Sequence, residues 1–251
     1  MTADYDEISA LYDVIYDDWD ASIERQSSQL ANMLETHWQL APGATVLDAA
    51  CGIGTQAIGL AQVGFAVIGS DLSARAVERA RLEASARGVD LDVSVCDMRQ
   101  VHVHHHRQFD AVICCDNSVP HLLSDDEILL AFRGFFQCTA PGGGCIVTVR
   151  DYDREERGTG LVRLYGTRDR PNGRYLVFQV WDFEGDIYDL SMYFVFDPKD
   201  NQPPQTRVLR TKYYAVGTAR LWELMEAAGF AHVRRIDGEF FQPALVGTRP
   251  A

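Results

Sequence analysis

The sequence predicts an α/β fold: a mainly parallel sheet with crossover helices, a helical cap at the N-terminus and an antiparallel β insertion late in the chain. Three observations carry that expectation. From Ala44 onward, apolar strand patterns alternate with amphipathic helix patterns, the order that builds parallel βαβ units. The run Val46-Leu47-Asp48-Ala49-Ala50-Cys51-Gly52-Ile53-Gly54-Thr55 passes from an apolar strand through two glycines into an apolar helix. Past residue 160 the rhythm changes to alternating strands separated by turn signals.

Residues 1–41 read as the helical cap. Tyr5, Ile8, Leu11, Tyr12, Ile15, Tyr16 and Trp19 recur at helical spacing among acidic residues. A second helix follows from about Ile23, with Leu30, Met33, Leu34 and Trp38 on its buried side. Tyr12, Tyr16 and Trp19 either pack this segment onto the domain or cover a ligand. Arg25 is a cation able to hold a carboxylate. After the Pro42-Gly43 turn come a strand at 45–47, a helix at 55–63 stopped by Gly64, and a strand at 65–69. Ser73 then caps a helix with Ala76, Val77, Ala80 and Ala84 inside.

Gly88 ends that helix, and strands follow at 91–95 and 109–115. Helix 125–138, the break Gly142-Gly143-Gly144 and strand 145–149 complete the alternating part. Strands at 161–165, 174–183, 187–196 and 208–216 are marked off by Pro171-Asn172-Gly173, Glu184-Gly185-Asp186 and the polar stretch 197–206. Residues 154–216 are therefore expected as an antiparallel insertion beside the active-site end of the sheet. Helix 218–228, Gly229 and strands near 231–237 and 241–248 return the chain to the core, so 1–251 reads as a single domain.

A formal net charge of −13 argues against broad binding to nucleic acid or anionic membranes, which needs a basic face. No apolar run approaches the roughly 20 residues that span a bilayer, and the acidic N-terminus lacks the basic-then-apolar order of a signal peptide. Six cysteines without C-x-x-C spacing fall in or beside strands, as small buried apolar residues do in a reducing cytoplasm. A disulfide or zinc site is the minor alternative. The run His102-Val103-His104-His105-His106 sits in the expected loop before the 109–115 strand; contiguous histidines rarely face one ion together, which favours a solvated loop over a metal site.

The glycine run narrows the ligand. Counting from Gly52, a G-x-G-x-x-G/A fingerprint ends on Ala57, which would allow a dinucleotide. Asp48, at the strand end, would repel a pyrophosphate and suits positive charge, such as the ammonium and sulfonium of S-adenosylmethionine. Asp71 ends the next strand about 20 residues on, where it either accepts the two hydroxyls of a ribose or caps the following helix. Asp97 after the third strand can accept from an adenine amino group, with Met98 offering a polarizable surface. The polar cluster from Asp116 to Leu122 falls beyond a strand end, in the crevice where open α/β sheets bind ligands.

With these motifs the sequence resembles class I S-adenosylmethionine-dependent methyltransferases, which have a Rossmann-like sheet. More narrowly, it is similar to the glycine and sarcosine N-methyltransferase group. Leu47-Asp48-Ala49-Ala50-Cys51-Gly52-Ile53-Gly54, Phe109-Asp110-Ala111-Val112-Ile113-Cys114, Asn117-Ser118, His121-Leu122, Arg150-Asp151-Tyr152-Asp153 and Tyr213-Tyr214 carry the likeness. The resemblance implies that Asp48 and Gly52 line the methionine end, Asp71 holds the ribose, and Asp97 and Met98 meet the adenine. Tyr16, Trp19 and Arg25 would cover the donor, Arg25 pairing with its carboxylate; Ala50, Leu72 and Cys115 complete the donor set. Asn117 and Arg150 match positions that hold a substrate carboxylate. A bound ammonium would lose its proton either to solvent or to a nearby group such as His121 or a tyrosine, with Tyr214 the tyrosine counted among the catalytic candidates. Asp116 departs from the family pattern, which has a small uncharged residue there.

The expected chemistry is direct displacement at a methyl carbon by the amine of a small amino acid such as glycine, sarcosine or dimethylglycine. Rivals are O- or N-methylation of a larger natural product, and a non-catalytic S-adenosylmethionine-binding regulator. The expected partner is a small-molecule acceptor, with no metal, nucleic acid or membrane.

Overall fold

The computed structural model describes residues 9–200 and 202–251. Tyr5 and Ile8 of the N-terminal pattern lie outside the described residues. In chain order the first five strands are β1 (Thr45–Asp48), β2 (Ala66–Asp71), β3 (Asp92–Val95), β4 (Phe109–Cys114) and β5 (Thr139–Thr148). Then come β6 (Leu161–Arg170), β7 (Gly173–Glu184), β8 (Ile187–Pro198), β9 (Gln205–Tyr214), β10 (Ala231–Ile236) and β11 (Ala244–Thr248). The helices are α1 (Trp19–Trp38), α2 (Thr55–Gln62), α3 (Ala74–Ala86), α4 (Val101–His105), α5 (Asp125–Cys138) and α6 (Thr218–Ala228).

Seven strands form one sheet in the order β10-β11-β5-β4-β1-β2-β3. The pairs from β5 to β3 are parallel, and β11 runs antiparallel to both β5 and β10. Strands covered on both faces need apolar residues at successive positions, and this sheet supplies them. Val46, Ala111 and Ile146 point into a core with Leu30, Ile58 and Val77 of α1, α2 and α3. Their neighbours Leu47, Val112 and Val147 point to the other face, against Phe132 of α5 and Leu221 of α6. Among the described residues, no helix is long and apolar enough to cross a membrane.

The strands β6 to β9 form a separate four-stranded antiparallel meander. Its inner face buries Trp181, Tyr188, Leu190, Phe194 and Leu209 together with Val14 and Tyr152. Its strands are longer than the sequence predicts, because they pair up to the two-residue turns that join β6 to β7 and β7 to β8.

Several local expectations are corrected. The N-terminal helical pattern is split: a short 3₁₀ turn covers Ser9–Ile15, and Asp18 then caps α1 by accepting from the Ala21 N–H at 3.0 Å. Capping by a short acidic side chain fixes that start, so Trp19 opens the second helix instead of closing the first. The glycine run 142–144 lies inside β5 and does not precede it. A Cβ on Gly144 would run into the Trp38 ring, whose Nε1 donates to Thr248 Oγ1 at 2.9 Å; bare backbone lets the end of α1 lie on the sheet. The histidine run is the helix α4, not a loop. His104 meets Ser94 Oγ on β3 at 2.9 Å and His105 meets Ser70 Oγ on β2 at 3.3 Å, so the two rings reach different strands.

Gly59 marks the closest approach of α1 and α2. A Cβ there would stand 2.7 Å from Ser27 Cβ and 2.9 Å from the Ile23 carbonyl oxygen. Gly59→Val is expected to destabilise the protein by about 1–3 kcal/mol through overpacking, read as a lower urea midpoint at unchanged slope.

Candidate functional site

The chain leaves β1 toward β2 and β3 and then returns to lay β4 on the other side of β1. At such a reversal the crossovers part and a crevice opens beyond the strand ends. A cavity of about 280 Å³ lies there. Its floor is the glycine turn. The Ala49 N–H donates to the Ile113 carbonyl and the Cys51 N–H to the Ser70 carbonyl, both at 2.9 Å, which ties the turn to β4 and β2. Gly52 takes φ +52° and Gly54 φ +96°, a region that glycine enters without a Cβ penalty. A Cβ on Gly52 would meet nothing within 4 Å, so this turn faces open space.

Ala50, Gly52, Asp71, Leu72, Asp97, Met98, Cys115, Tyr16 and His121 all line the cavity. Asp71 accepts from the Gly52 N–H at 2.9 Å and the Ser73 N–H at 2.8 Å. The cap of α3 is Ser73, whose Oγ accepts from the Ala76 N–H at 3.1 Å, so Asp71 itself is not the cap. Asp97 caps the 3₁₀ turn Met98–Gln100 and is gripped by Arg99, whose other arm pairs with Glu127 at 2.6 Å. Despite partial burial, these bonds hold the Asp97 carboxyl below the usual range.

Asp48 does not reach the cavity wall. It is 1% exposed, its Oδ1 accepts from the Ala50 N–H at 3.3 Å, and its Oδ2 has no partner among the described residues. Burial, with a smaller contribution from Asp71, pushes it up to about 7. Trp19 and Arg25 are also outside the cavity lining. Trp19 donates to Thr55 Oγ1 at 2.9 Å and packs under the guanidinium groups of Arg79 and Arg87. Arg25 is exposed and donates to Ser22 Oγ at 3.2 Å.

On β9, Tyr214 donates to Asp125 Oδ1 at 3.0 Å, away from the cavity, while its neighbour Tyr213 lines it. Adjacent strand residues face opposite sides, so a shift of one residue separates the wall from the outer face. Tyr213 lies against His121 with ring centroids 4.1 Å apart. Burial drives the His121 imidazole down to about 4, so it is neutral at physiological pH.

A second, polar pocket of about 40 Å³ adjoins the first at Tyr12, Asp116 and Tyr213. Arg150 lies in it, its guanidinium 4.7 Å over the Trp181 ring and bonded to the Tyr165 side chain. Among the described residues, no carboxylate pairs with Arg150 within 4 Å. Asn117 braces this arginine: its Oδ1 accepts from the Arg150 backbone N–H at 3.0 Å and its Nδ2 donates to Tyr152 Oη at 2.8 Å. Tyr165 and Gln179, which also line this pocket, are not among the residues the sequence points to. Tyr12, Asp116 and Tyr213, named from the sequence as a possible ligand cover, a family departure and part of a family motif, line it as well. Helical spacing and strand alternation were the signals for Tyr12 and Tyr213, and the family departure was the signal for Asp116.

A short segment roofs both cavities, through Tyr16 over the larger and Tyr12 over both. Three arginines pin it. Arg168 on β6 donates to the carbonyls of Tyr16 at 2.7 Å and Ile15 at 3.3 Å and pairs with Asp17 at 2.7 Å. Asp13 is bridged by Arg170 on β6 and Arg79 on α3, each at 2.9 Å.

Residues 46–143 match the methyltransferase domain family. With the sheet order and the glycine turn at the crevice, this makes the fold that of a class I S-adenosylmethionine-dependent methyltransferase, and S-adenosylmethionine is the cofactor of that domain. The glycine/sarcosine N-methyltransferase of Parasynechococcus marenigrum (strain WH8102) is 31% identical over 188 residues, covering 70% of this chain and 65% of that protein. The dTDP-3-amino-3,6-dideoxy-alpha-D-glucopyranose N,N-dimethyltransferase of Streptomyces fradiae is 33% identical over 146 residues, 58% of this chain and 54% of that one. DesVI from Streptomyces venezuelae has the same fold, with a TM-score of 0.80 over 96% of both chains at 22% identity. The chain spans less than two thirds of the length of the two curated relatives just named.

The open backbone at Gly52 and the carboxylate of Asp71 fit that cofactor, the first by close approach and the second by accepting hydroxyls. Asp48 supplies a check on the electrostatics. Its folded-state pKa of about 7 lies above the ordinary 3.8, so the protein loses stability as pH rises from the lower value to the higher. In ligand-free protein, Asp48→Asn should gain stability over the parent across that window, by up to about 4 kcal/mol above it, and little at pH below it. Urea unfolding at the two ends of the window measures the difference.

Proposed function

We propose that this protein transfers a methyl group from S-adenosylmethionine to the amine of a small amino acid such as glycine, sarcosine or dimethylglycine. The observation that carries the reading is Arg150: a half-buried guanidinium in a pocket of about 40 Å³, with no carboxylate partner among the described residues. A buried charge left without a counter-charge is costly, and a substrate carboxylate would supply one through two parallel N–H···O bonds. The pocket has room for a few atoms only, which suits an acceptor of that size better than a sugar.

When bound, S-adenosylmethionine supplies an electrophilic methyl group and its own leaving group, so the chain's work is positioning. Asn117 sets the Arg150 backbone, and Arg150 would orient the acceptor so that its amine lies toward the donor cavity. Alignment of this kind is worth several kcal/mol of barrier. Tyr12 and Tyr16 would exclude water from above. A reducing, cytoplasmic setting belongs to the same reading, supported by six cysteines that are all buried free thiols. We read residues 154–216 as the substrate-side insertion, since β6 to β9 supply Tyr165, Gln179 and Tyr213 to the acceptor pocket. The Streptomyces fradiae relative supports a second reading, N-methylation of an amino sugar.

Methyl transfer to glycine, sarcosine, dimethylglycine and amino sugars, followed by mass spectrometry, separates the two. Donor binding without transfer to any small amino acid would remove the first. Arg150→Ala should raise KM for the amino acid by about 30-fold or more, the effect of stranding one partner of a buried charge pair. His121→Ala should cost far less, since an imidazole held near 4 is a poor proton acceptor at neutral pH.

A further inference from the structure

Four carboxylates stand around the donor cavity: Asp71, Asp97, Glu127 and Asp116. Asp71 is oriented by two backbone N–H groups. Asp97 and Glu127 share Arg99, and Glu127 also accepts from the Leu123 N–H at 3.0 Å. Asp116 differs in kind. Its carboxylate accepts from Tyr16 Oη at 3.2 Å and Gln242 Nε2 at 3.4 Å, both neutral, and it forms no ion pair within 4 Å among the described residues. It is also the carboxylate that lines both pockets.

The backbone is built to put it there. Asp116 takes φ +55° and Asn117 φ +64°, two successive left-handed residues at the end of β4. Such residues cost about 1 kcal/mol or more each and persist where surrounding bonds enforce them. Here the Asp116 N–H donates to Thr148 Oγ1 at 2.9 Å and the Asn117 N–H to the Thr148 carbonyl at 3.1 Å. The turn sends Asn117 toward Arg150 and leaves Asp116 at the junction of the cavities. One pocket thus offers a carboxylate at its donor-side mouth and a guanidinium within, a pattern complementary to a zwitterion.

We propose that Asp116 binds the ammonium of the acceptor and takes its proton, so that this site selects protonated amines over hydroxyl compounds. The inference rests on the amine-methylation reading above. The ammonium N–H donates to the carboxylate and its proton moves to a carboxylate oxygen, leaving the nitrogen with a lone pair. The nitrogen then forms its bond to the methyl carbon while the methyl–sulfur bond breaks, its electron pair remaining on sulfur. The proton on Asp116 leaves to solvent when the products depart.

Burial raises the proton affinity of Asp116, which favours this role. The ionisable groups that face it are Tyr12 and Tyr16 from the roof, Arg150 beyond β5, Cys115 next to it in the chain, and Tyr213 and His121 across the cavity. Burial keeps Tyr12, Tyr16 and Cys115 protonated and His121 neutral at physiological pH, so Arg150 is the fixed charge opposite Asp116.

The test is the pH dependence of methyl transfer in Asp116→Asn, since Asn accepts the same left-handed backbone, with Asp116→Gly as the second variant on the same ground. Calorimetry with S-adenosylmethionine should show donor binding retained in both. The parent protein should show kcat/KM for an amine nearly flat across neutral pH. Each variant should fall by about a hundredfold at about pH 7 and recover about tenfold per pH unit toward the amine's own pKa, because the neutral fraction alone then reacts. A variant whose profile runs parallel to the parent's overturns the role of Asp116 and leaves the amine reading standing. Transfer by the parent to hydroxyl compounds and to no amine overturns both.

Discussion

Two hydrogen bonds from the end of β4 to Thr148 hold the part of the molecule on which both cavities depend. They force Asp116 and Asn117 into successive left-handed conformations, and from there a chain of polar contacts crosses between the sheets. Asn117 braces the Arg150 backbone and the Tyr152 hydroxyl, and Tyr152 in turn bonds Tyr188 on β8 at 3.0 Å. The parallel sheet and the antiparallel meander are therefore tied by a strut of hydrogen-bonded, buried polar side chains. Such networks give rigidity when every member is satisfied. The position of Arg150 over Trp181 follows from this strut.

The charges around the two cavities divide by the partner each has found. Asp71 and Asp97 are fixed by the chain itself, so they serve as shaped walls. Asp48 lies behind the wall with one oxygen unpartnered among the described residues and its proton affinity raised by burial. Asp116 and Arg150 line the smaller pocket with neutral hydrogen-bond partners, and in the function proposed above a ligand completes them.

Much of the fold was legible because helices announce their ends. Ser124 before three acidic residues and Gly229 after an apolar stripe give α5 and α6 the bounds that the sequence predicts. The glycine turn was equally plain, since only a sharp backbone reversal calls for that spacing. What stayed hidden depended on contacts far apart in the chain. Alternation along β9 shows that Tyr213 and Tyr214 part ways, yet which one faces inward is set by the pairing of β9 with β8. Trp19 and Arg25 follow helical spacing, but the Asp18 cap and the bond to Thr55 decide where that face points. The glycines at 142–144 look like a turn until the Trp38 ring is laid against them.

The roof over the two cavities is bolted to both halves of the molecule, by Arg79 on one side and by Arg168 and Arg170 on the other. Because the same short segment lines both cavities and is tied on both sides, a substitution that breaks either set of ion pairs bears on the two cavities together.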